Sequence, residues 1–297
     1  MAKKTKEASS LGEVVADRAR GSLDGMKRLA SAHPGVRYIV DVIGRLRARP
    51  YSTNFVISGE PGTGKEGLAH TVHDLTHPDG APLISIATGG RSDEDLAAEL
   101  FGTAPRGKGE RSASGAVELA EGGTLVIDDV AALSPNLQWR LLDLLRRGAY
   151  TRGNETRVRH AQLNVIAITD EDLPARVKQG QFRHDLYHKL ARIHLVLPPL
   201  RQRPEDIPAA VEWMAKRLLM LRGHSQTAEL EPAAGESPTR AGAIIIRREA
   251  LEALRTHSWP GNFRELEVVV ERAMLLFGDG QQVTKADVHQ ALATPAS

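Results

Sequence analysis

There is no cysteine among the 297 residues. Disulfides and thiolate-held metals are thereby excluded, and a reducing cytoplasm is the expected setting. Nor is there an apolar run near the ~20 residues that a bilayer crossing needs. The opening stretch, MAKKTKEASS, carries charge with no apolar core behind it, so no secretory signal is expected. An excess of one charge is missing as well. Thirty-nine Lys and Arg stand against 37 Asp and Glu, so no global field draws the chain to nucleic acid or to a membrane. No sequence repeat is present.

What is there reads as an ordinary soluble globular chain, 41% apolar and 26% charged, long enough for one large domain or two smaller ones. Residues 1–25 are polar and lysine-bearing, expected as a solvated tail or a weak first helix. From 26 to 203, β-rich runs (TNFVISG, APLISIA, TLVIDD, AQLNVIAIT) alternate with helical patterns (KEGLAHTVHDLTH, SDEDLAAELF, SPNLQWRLLDLLRRG). The last of these opens on Ser134 as N-cap with Pro135 behind it and stops at Gly148. Such alternation predicts an α/β fold, a parallel sheet covered by helices on both faces. After LVLPPLRQRPEDIP the strands cease. Residues 204–297 are expected to form a small all-α domain, interrupted by a mobile Gly/Pro/Ser/Thr-rich loop near 222–243.

Chemistry concentrates in two runs. In FVISGEPGTGKE, a β-run enters Gly59, Glu60, Pro61, Gly62, Thr63, Gly64, Lys65 and Glu66, and a helix follows. Glycines let successive amides turn inward around phosphate oxygens, the helix N-terminus adds partial positive charge, and Lys65 adds a full one. The strict pattern wants Ser or Thr where Glu66 stands. In GGTLVIDDV, a strand runs out at two carboxylates. Asp128 is expected to hold Mg2+ through its water shell, and Asp129, also facing the metal, to polarise an attacking water. His70, His73 and His77 share one helical pattern and His184 and His188 are i,i+4 on another. No third ligand of the HExxH kind accompanies either set, so packing or surface roles are expected.

Together GEPGTGKE, ELFG, EGGTLVIDDV, FRHDLYHKL, LPPLRQRPEDIP and WPGNFREL resemble the P-loop AAA+ domain of bacterial enhancer-binding proteins, the activators of sigma-54 RNA polymerase. The resemblance runs from about residue 35 to the end, and that family carries Glu after its phosphate-loop lysine. It implies a sheet domain with a helical lid, and a ring, usually hexameric, holding ATP between neighbouring subunits. On this resemblance Lys65 contacts phosphates, Asp128 serves Mg2+, Thr169 and Asp170 occupy the first sensor, and Arg264 is the lid's sensor arginine. Arg183 matches an arginine finger, worth ~10³–10⁵ in rate, and Lys189 falls on a second one.

Departures from the family pattern point to impaired turnover. Asp129 replaces Glu, withdrawing the carboxylate by ~1.5 Å; a ~1 Å misplacement can cost ~10²-fold. Lys189 keeps charge without the planar fork. Asp170 replaces Asn and adds negative charge near a phosphate chain. Ala87 replaces the asparagine that restrains the catalytic glutamate. The sigma-contact hexapeptide GAFTGA is absent. The loop at 103–115 instead offers Arg106, Lys108 and Arg111. Neither a helix-turn-helix nor a receiver domain is expected in this chain. The expected protein is a cytoplasmic, ATP-binding, self-assembling regulator with weak hydrolysis. Its alternatives are a non-hydrolysing nucleotide-sensing partner of an intact relative, and a working sigma-54 activator with an unorthodox loop.

Overall fold

The computed structural model describes residues 33–47, 53–77, 80–105, 112–153, 155–223, 227–232, 243–277 and 281–294. The expected polar tail, Arg106, Lys108 and Arg111, and most of the expected mobile loop lie outside the described residues. Among the described residues no helix is long and apolar enough to cross a membrane. Two compact units emerge: Ile39–Gly59 with Lys65–Leu197, and Glu60–Gly64 with Pro198–Ser297 and the stretch up to Tyr38. The first helix, α1 (Pro34–Arg47), buries Val36, Ile39 and Ile43, the three-and-four spacing of an amphipathic helix.

The larger unit is the α/β one. Its elements run β1 (Phe55–Ser58), α2 (Lys65–Thr76), β2 (Leu83–Ala87), α3 (Asp93–Phe101), α4 (Ala116–Leu119), β3 (Thr124–Asp128) and α5 (Pro135–Arg147). A two-stranded ribbon, β4 (Ala149–Tyr150) and β5 (Arg159–His160), follows, then β6 (Asn164–Thr169), α6 (Leu173–Lys178), α7 (His184–Leu190) and β7 (Ile193–Val196). Five strands form one parallel sheet in the order β2-β3-β6-β1-β7. All six residues of β6 are buried, which is why NVIAIT shows no in-out alternation: helices cover both faces. Leu100, Phe101, Leu137 and Leu141 pack with Ile127 and Val165 into one core. The ends of α5 follow their sequence signals. The Ser134 hydroxyl accepts from the Leu137 amide at 3.4 Å, and Gly148 takes the left-handed conformation, φ 63°, its amide donating to Leu144.

Register aligns the carboxyl ends of the strands. Ser58 lies opposite both Thr169 and Val196, and Ala87 opposite Asp128. In open parallel sheets this edge is where ligands bind. At the other edge, α2 contributes His73 and the residue just past its end is His77; the two rings stack at 4.8 Å. A ring nitrogen of His73 lies 2.8 Å from the Thr124 hydroxyl, and His77 shares a hydrogen bond with the Asn164 amide at 3.0 Å. These two histidines are packing residues, as expected.

Burial first, then the neighbouring His77 ring, pushes His73 down to about 4, and its side chain is nearly inaccessible. The unfolded chain therefore binds the proton more readily than the fold does. Stability is full above pH 6.5 and is lost as pH falls toward 4, about 2 kcal/mol of it between pH 7 and pH 5. In denaturant titrations at those two pH values, His73→Leu should flatten the dependence by that amount. An unchanged dependence would mean that His73 titrates normally.

The C-terminal unit holds α8 (Ile207–Leu221), β8 (Ala228–Leu230), β9 (Ile244–Ile246), α9 (Arg248–Thr256), α10 (Asn262–Arg272), β10 (Gln282–Val283) and α11 (Lys285–Ala293). It is helical as expected, but not purely so. Three short strands pair in parallel in the order β10-β9-β8, and β8 lies within the stretch read as a mobile loop. Two or three residues per strand are too few to display a period of two. Trp259, fully buried with its indole N–H on the Leu254 carbonyl at 2.8 Å, packs with Val211, Ile246, Leu266 and Met274. Thr284 and Asp287 close a capping box at the start of α11.

Candidate nucleotide site

At the carboxyl edge of the large sheet, β3 delivers Asp128 and Asp129 in succession. Asp129 has φ 59°, ψ 55°, the left-handed region, which Asp tolerates better than most side-chain-bearing residues. Two contacts fix its backbone. The Thr88 hydroxyl donates to the Asp129 carbonyl at 2.6 Å and to the Asp128 carbonyl at 3.1 Å, and the Ala132 amide donates to the Asp129 carbonyl at 3.0 Å. Ala87, at the family's asparagine position, is opposite Asp128 in the register. It is the next residue, Thr88, that touches the acidic pair.

Burial pushes the Asp129 carboxyl up, and the negative charges of Asp170, Glu171 and Asp128 push it further; Arg176 works against them. One oxygen of Asp129 is buried without a hydrogen-bond partner. A buried, unpartnered carboxylate oxygen among three further carboxylates is an unfavourable arrangement by itself. A dication would relieve it, so the paired Asp128 and Asp129 fit a Mg2+ held through its water shell, without a larger carboxylate cage. Thr169 ends β6 buried, its hydroxyl accepting from the Glu171 amide at 3.0 Å, while Asp170 is exposed.

The glycine loop leaves β1 at Gly59 and enters α2 at Lys65. The Lys65 ammonium donates to the Gly59 carbonyl at 2.8 Å, and Glu66 is exposed on the first turn. Gly62 and Gly64 have φ of 76° and 96°. A Cβ at Gly62 would sit 2.3 Å from the Gly261 carbonyl, whereas one at Gly64 would meet open space. At Gly62 the fold demands glycine on both counts.

Glu60–Gly64 is anchored by residues of its own, C-terminal unit. Arg201 forks onto Glu60 with two bonds of 2.7 and 2.6 Å, lowering that carboxyl. The Asn262 amide donates to the Pro61 carbonyl at 2.9 Å, and the Phe263 amide to Gly62 at the same distance. Arg203 donates to the Thr63 carbonyl at 3.0 Å. Thr63 itself is buried and spends both amide and hydroxyl on the Glu60 carbonyl. Arg264 is exposed, and its amide and Cβ border the space above Gly62.

Arg183 and Lys189 bracket α7. The Arg183 guanidinium pairs with Asp185 at 3.2 and 3.1 Å, and Arg146 joins the same carboxylate at 3.2 Å. Among the described residues, the cation that acts on Asp129 is Arg176, which also pairs with Glu171 and donates to the Ala131 carbonyl at 3.1 Å. Arg176, Glu171 and Thr88 escaped the sequence reading. Glu171 extends the acidic run TDED, a signal available in the sequence; Arg176 and Thr88 had none. Arg201, Arg203 and Asn262 stood inside quoted motifs without an assigned role.

The family described as Sigma-54 interaction domain matches residues 30–196, and the AAA+ ATPase lid domain matches 201–297. The chain is 36% identical over 277 residues to the response regulator protein FleR of Pseudomonas aeruginosa, covering 91% of this chain and 54% of that protein. With the DNA-binding transcriptional regulator NtrC of Rhizobium meliloti the identity is 37% over 262 residues, covering 86% and 49%. The chain spans about half the length of these curated relatives. Among solved structures, NtrX from Brucella abortus in complex with ADP superposes with a TM-score of 0.74 at 27% identity, covering 100% of this chain and 61% of that one. Its complex with ATP gives 0.72 at 28% identity, with the same coverages. The chain belongs to the sigma-54-dependent transcription activator family, and carries that family's sigma-54 interaction domain and AAA+ lid.

Proposed function

We propose that this chain binds ATP with Mg2+, assembles with copies of itself around the nucleotide, and hydrolyses it slowly as a cytoplasmic regulator of sigma-54 transcription. The observation that carries the reading is the strand-end cluster: Asp129 held left-handed by Thr88, with a buried unpartnered oxygen. Lys65 and the loop amides bind phosphates, Asp128 holds Mg2+ through water, and Arg264 senses the nucleotide. Mg2+ supplies charge neutralisation at the phosphates. Asp129 orients and deprotonates water. Its raised pKa makes it the stronger base, but its side chain is one carbon too short. Arg183, and more weakly Lys189, serve a neighbouring copy, which requires Arg183 to leave Asp185. The basic loop at 103–115 replaces the family's sigma contact.

The crowding of four carboxylates against Arg176 favours a second reading, a nucleotide-sensing partner that does not hydrolyse at all. Phosphate release at rising protein concentration separates the two. Slow release that steepens with concentration and disappears in Arg183→Ala is expected; none at any concentration selects the second reading. In the same assay Asp129→Glu should raise the rate about twentyfold. Regained reach is worth ~10²-fold, offset by ~1 kcal/mol for placing glutamate in the left-handed region. A rate that stays flat would put the defect elsewhere.

A further inference from the structure

His184 and His188 occupy successive turns of α7, both exposed, and their Nε2 atoms lie 3.0 Å apart with ring centroids at 4.3 Å. We propose that this pair is a binding site for a late divalent transition ion, copper(II) above all.

The separation is the argument. Imidazole–metal bonds of ~2.0–2.1 Å that meet near 90–95° put two nitrogens about 3.0 Å apart, whereas a tetrahedral angle needs ~3.3 Å. The spacing therefore suits a tetragonal ion, and copper(II) stands highest in affinity for nitrogen ligands among the first-row dications. Adjacent turns present residues i and i+4 on one face, so little side-chain freedom remains to be lost on binding. The nearby positive charge is offset. Arg183 and Arg146 both pair with Asp185, leaving Lys189 as the other cation of α7. Among the described residues no group of three or more His, Cys, Asp or Glu could hold a metal, so water or exchangeable ligands complete the shell. A bound ion staples the turn that follows Arg183. The site stands independently of the nucleotide reading.

The test titrates copper(II) into the full chain, wild type against His184→Gln, His188→Gln and the double variant, with circular dichroism confirming the fold. The wild type should bind one more equivalent than the double variant, and its electron paramagnetic resonance spectrum should carry coupling to two nitrogens. Each single variant should bind that equivalent at least tenfold more weakly. Hydrogen exchange at the amides of 184–190 should slow on adding copper only when both rings are present. Equal stoichiometry and equal spectra in wild type and double variant would overturn the proposal, leaving the 3.0 Å approach as a hydrogen bond between two rings. The remaining nine of the 11 histidines are common to every arm, so their background cancels.

Discussion

Lys65→Ala is expected to weaken ATP binding about 10³-fold. At an effective dielectric of ~20, an ammonium ~4 Å from a phosphate charge contributes ~4 kcal/mol, and each 1.4 kcal/mol is a factor of ten. The cost to folding is small by comparison: the side chain is partly exposed, and its hydrogen bond to the Gly59 carbonyl is worth ~1 kcal/mol. Affinity and stability should therefore separate. Calorimetry with a non-hydrolysable ATP analogue and Mg2+ would show heat for the wild type and almost none for the variant, at unchanged secondary structure. Equal heats in both would show that the glycine loop does not hold the phosphates by this lysine.

Arg203→Met is expected to destabilise the C-terminal unit by ~3–5 kcal/mol. Arg203 and Asp206 are each about 2% exposed and face one another at 3.9 Å. Neither carboxylate oxygen of Asp206 has a hydrogen bond, nor has the Arg203 Nε. Arg203 also stacks over the Phe263 ring at 4.8 Å. Removing the guanidinium strands a buried anion, the expensive way to break such a pair, whereas replacing both partners by apolar side chains is often neutral. Arg203→Met with Asp206→Leu should accordingly recover most of the loss. Burial pushes Asp206 up to about 6 even with its partner present, while Arg203 pulls it back. The fold thus holds this proton more tightly than the unfolded chain. The unit gains stability as pH falls from about 6 to 4, the reverse of the His73 effect, and the single variant should be less harmful at pH 5 than at pH 8. Tryptophan fluorescence during denaturant unfolding reports the result, with Trp213 and Trp259 in this unit and Trp139 in the other. A single variant within 1 kcal/mol of wild type at pH 8 would show that Asp206 is not confined as an anion.

Much of this protein was legible in its sequence because the relevant signals are local. The FVIS and NVIAIT runs, Ser134–Pro135 at one end of α5 and Gly148 at the other, and the glycine loop before α2 each encode their own geometry within a few residues. The illegible parts depend on distant partners. The β8–β10 sheet is assembled from fragments of three, three and two residues, each meaningless without the others. Arg176 looks like any helical arginine until the loop after β6 turns it toward Glu171. Thr88 follows the APLISIA strand with no signal of its own, and only the β2–β3 register brings its hydroxyl to Asp129. Asn262, left-handed at φ 53°, sits inside a motif whose letters do not reveal that its side chain reaches Pro61.

The anchoring of Glu60–Gly64 has a thermodynamic corollary. A coil whose shape is already dictated by two arginines, an asparagine amide and a main-chain N–H has little disorder left to surrender when an anion arrives. Ordering a free loop would cost ~1–2 kcal/mol per residue. On the proposed reading, capture of a triphosphate by this loop should therefore be governed by its enthalpy rather than opposed by a large ordering cost.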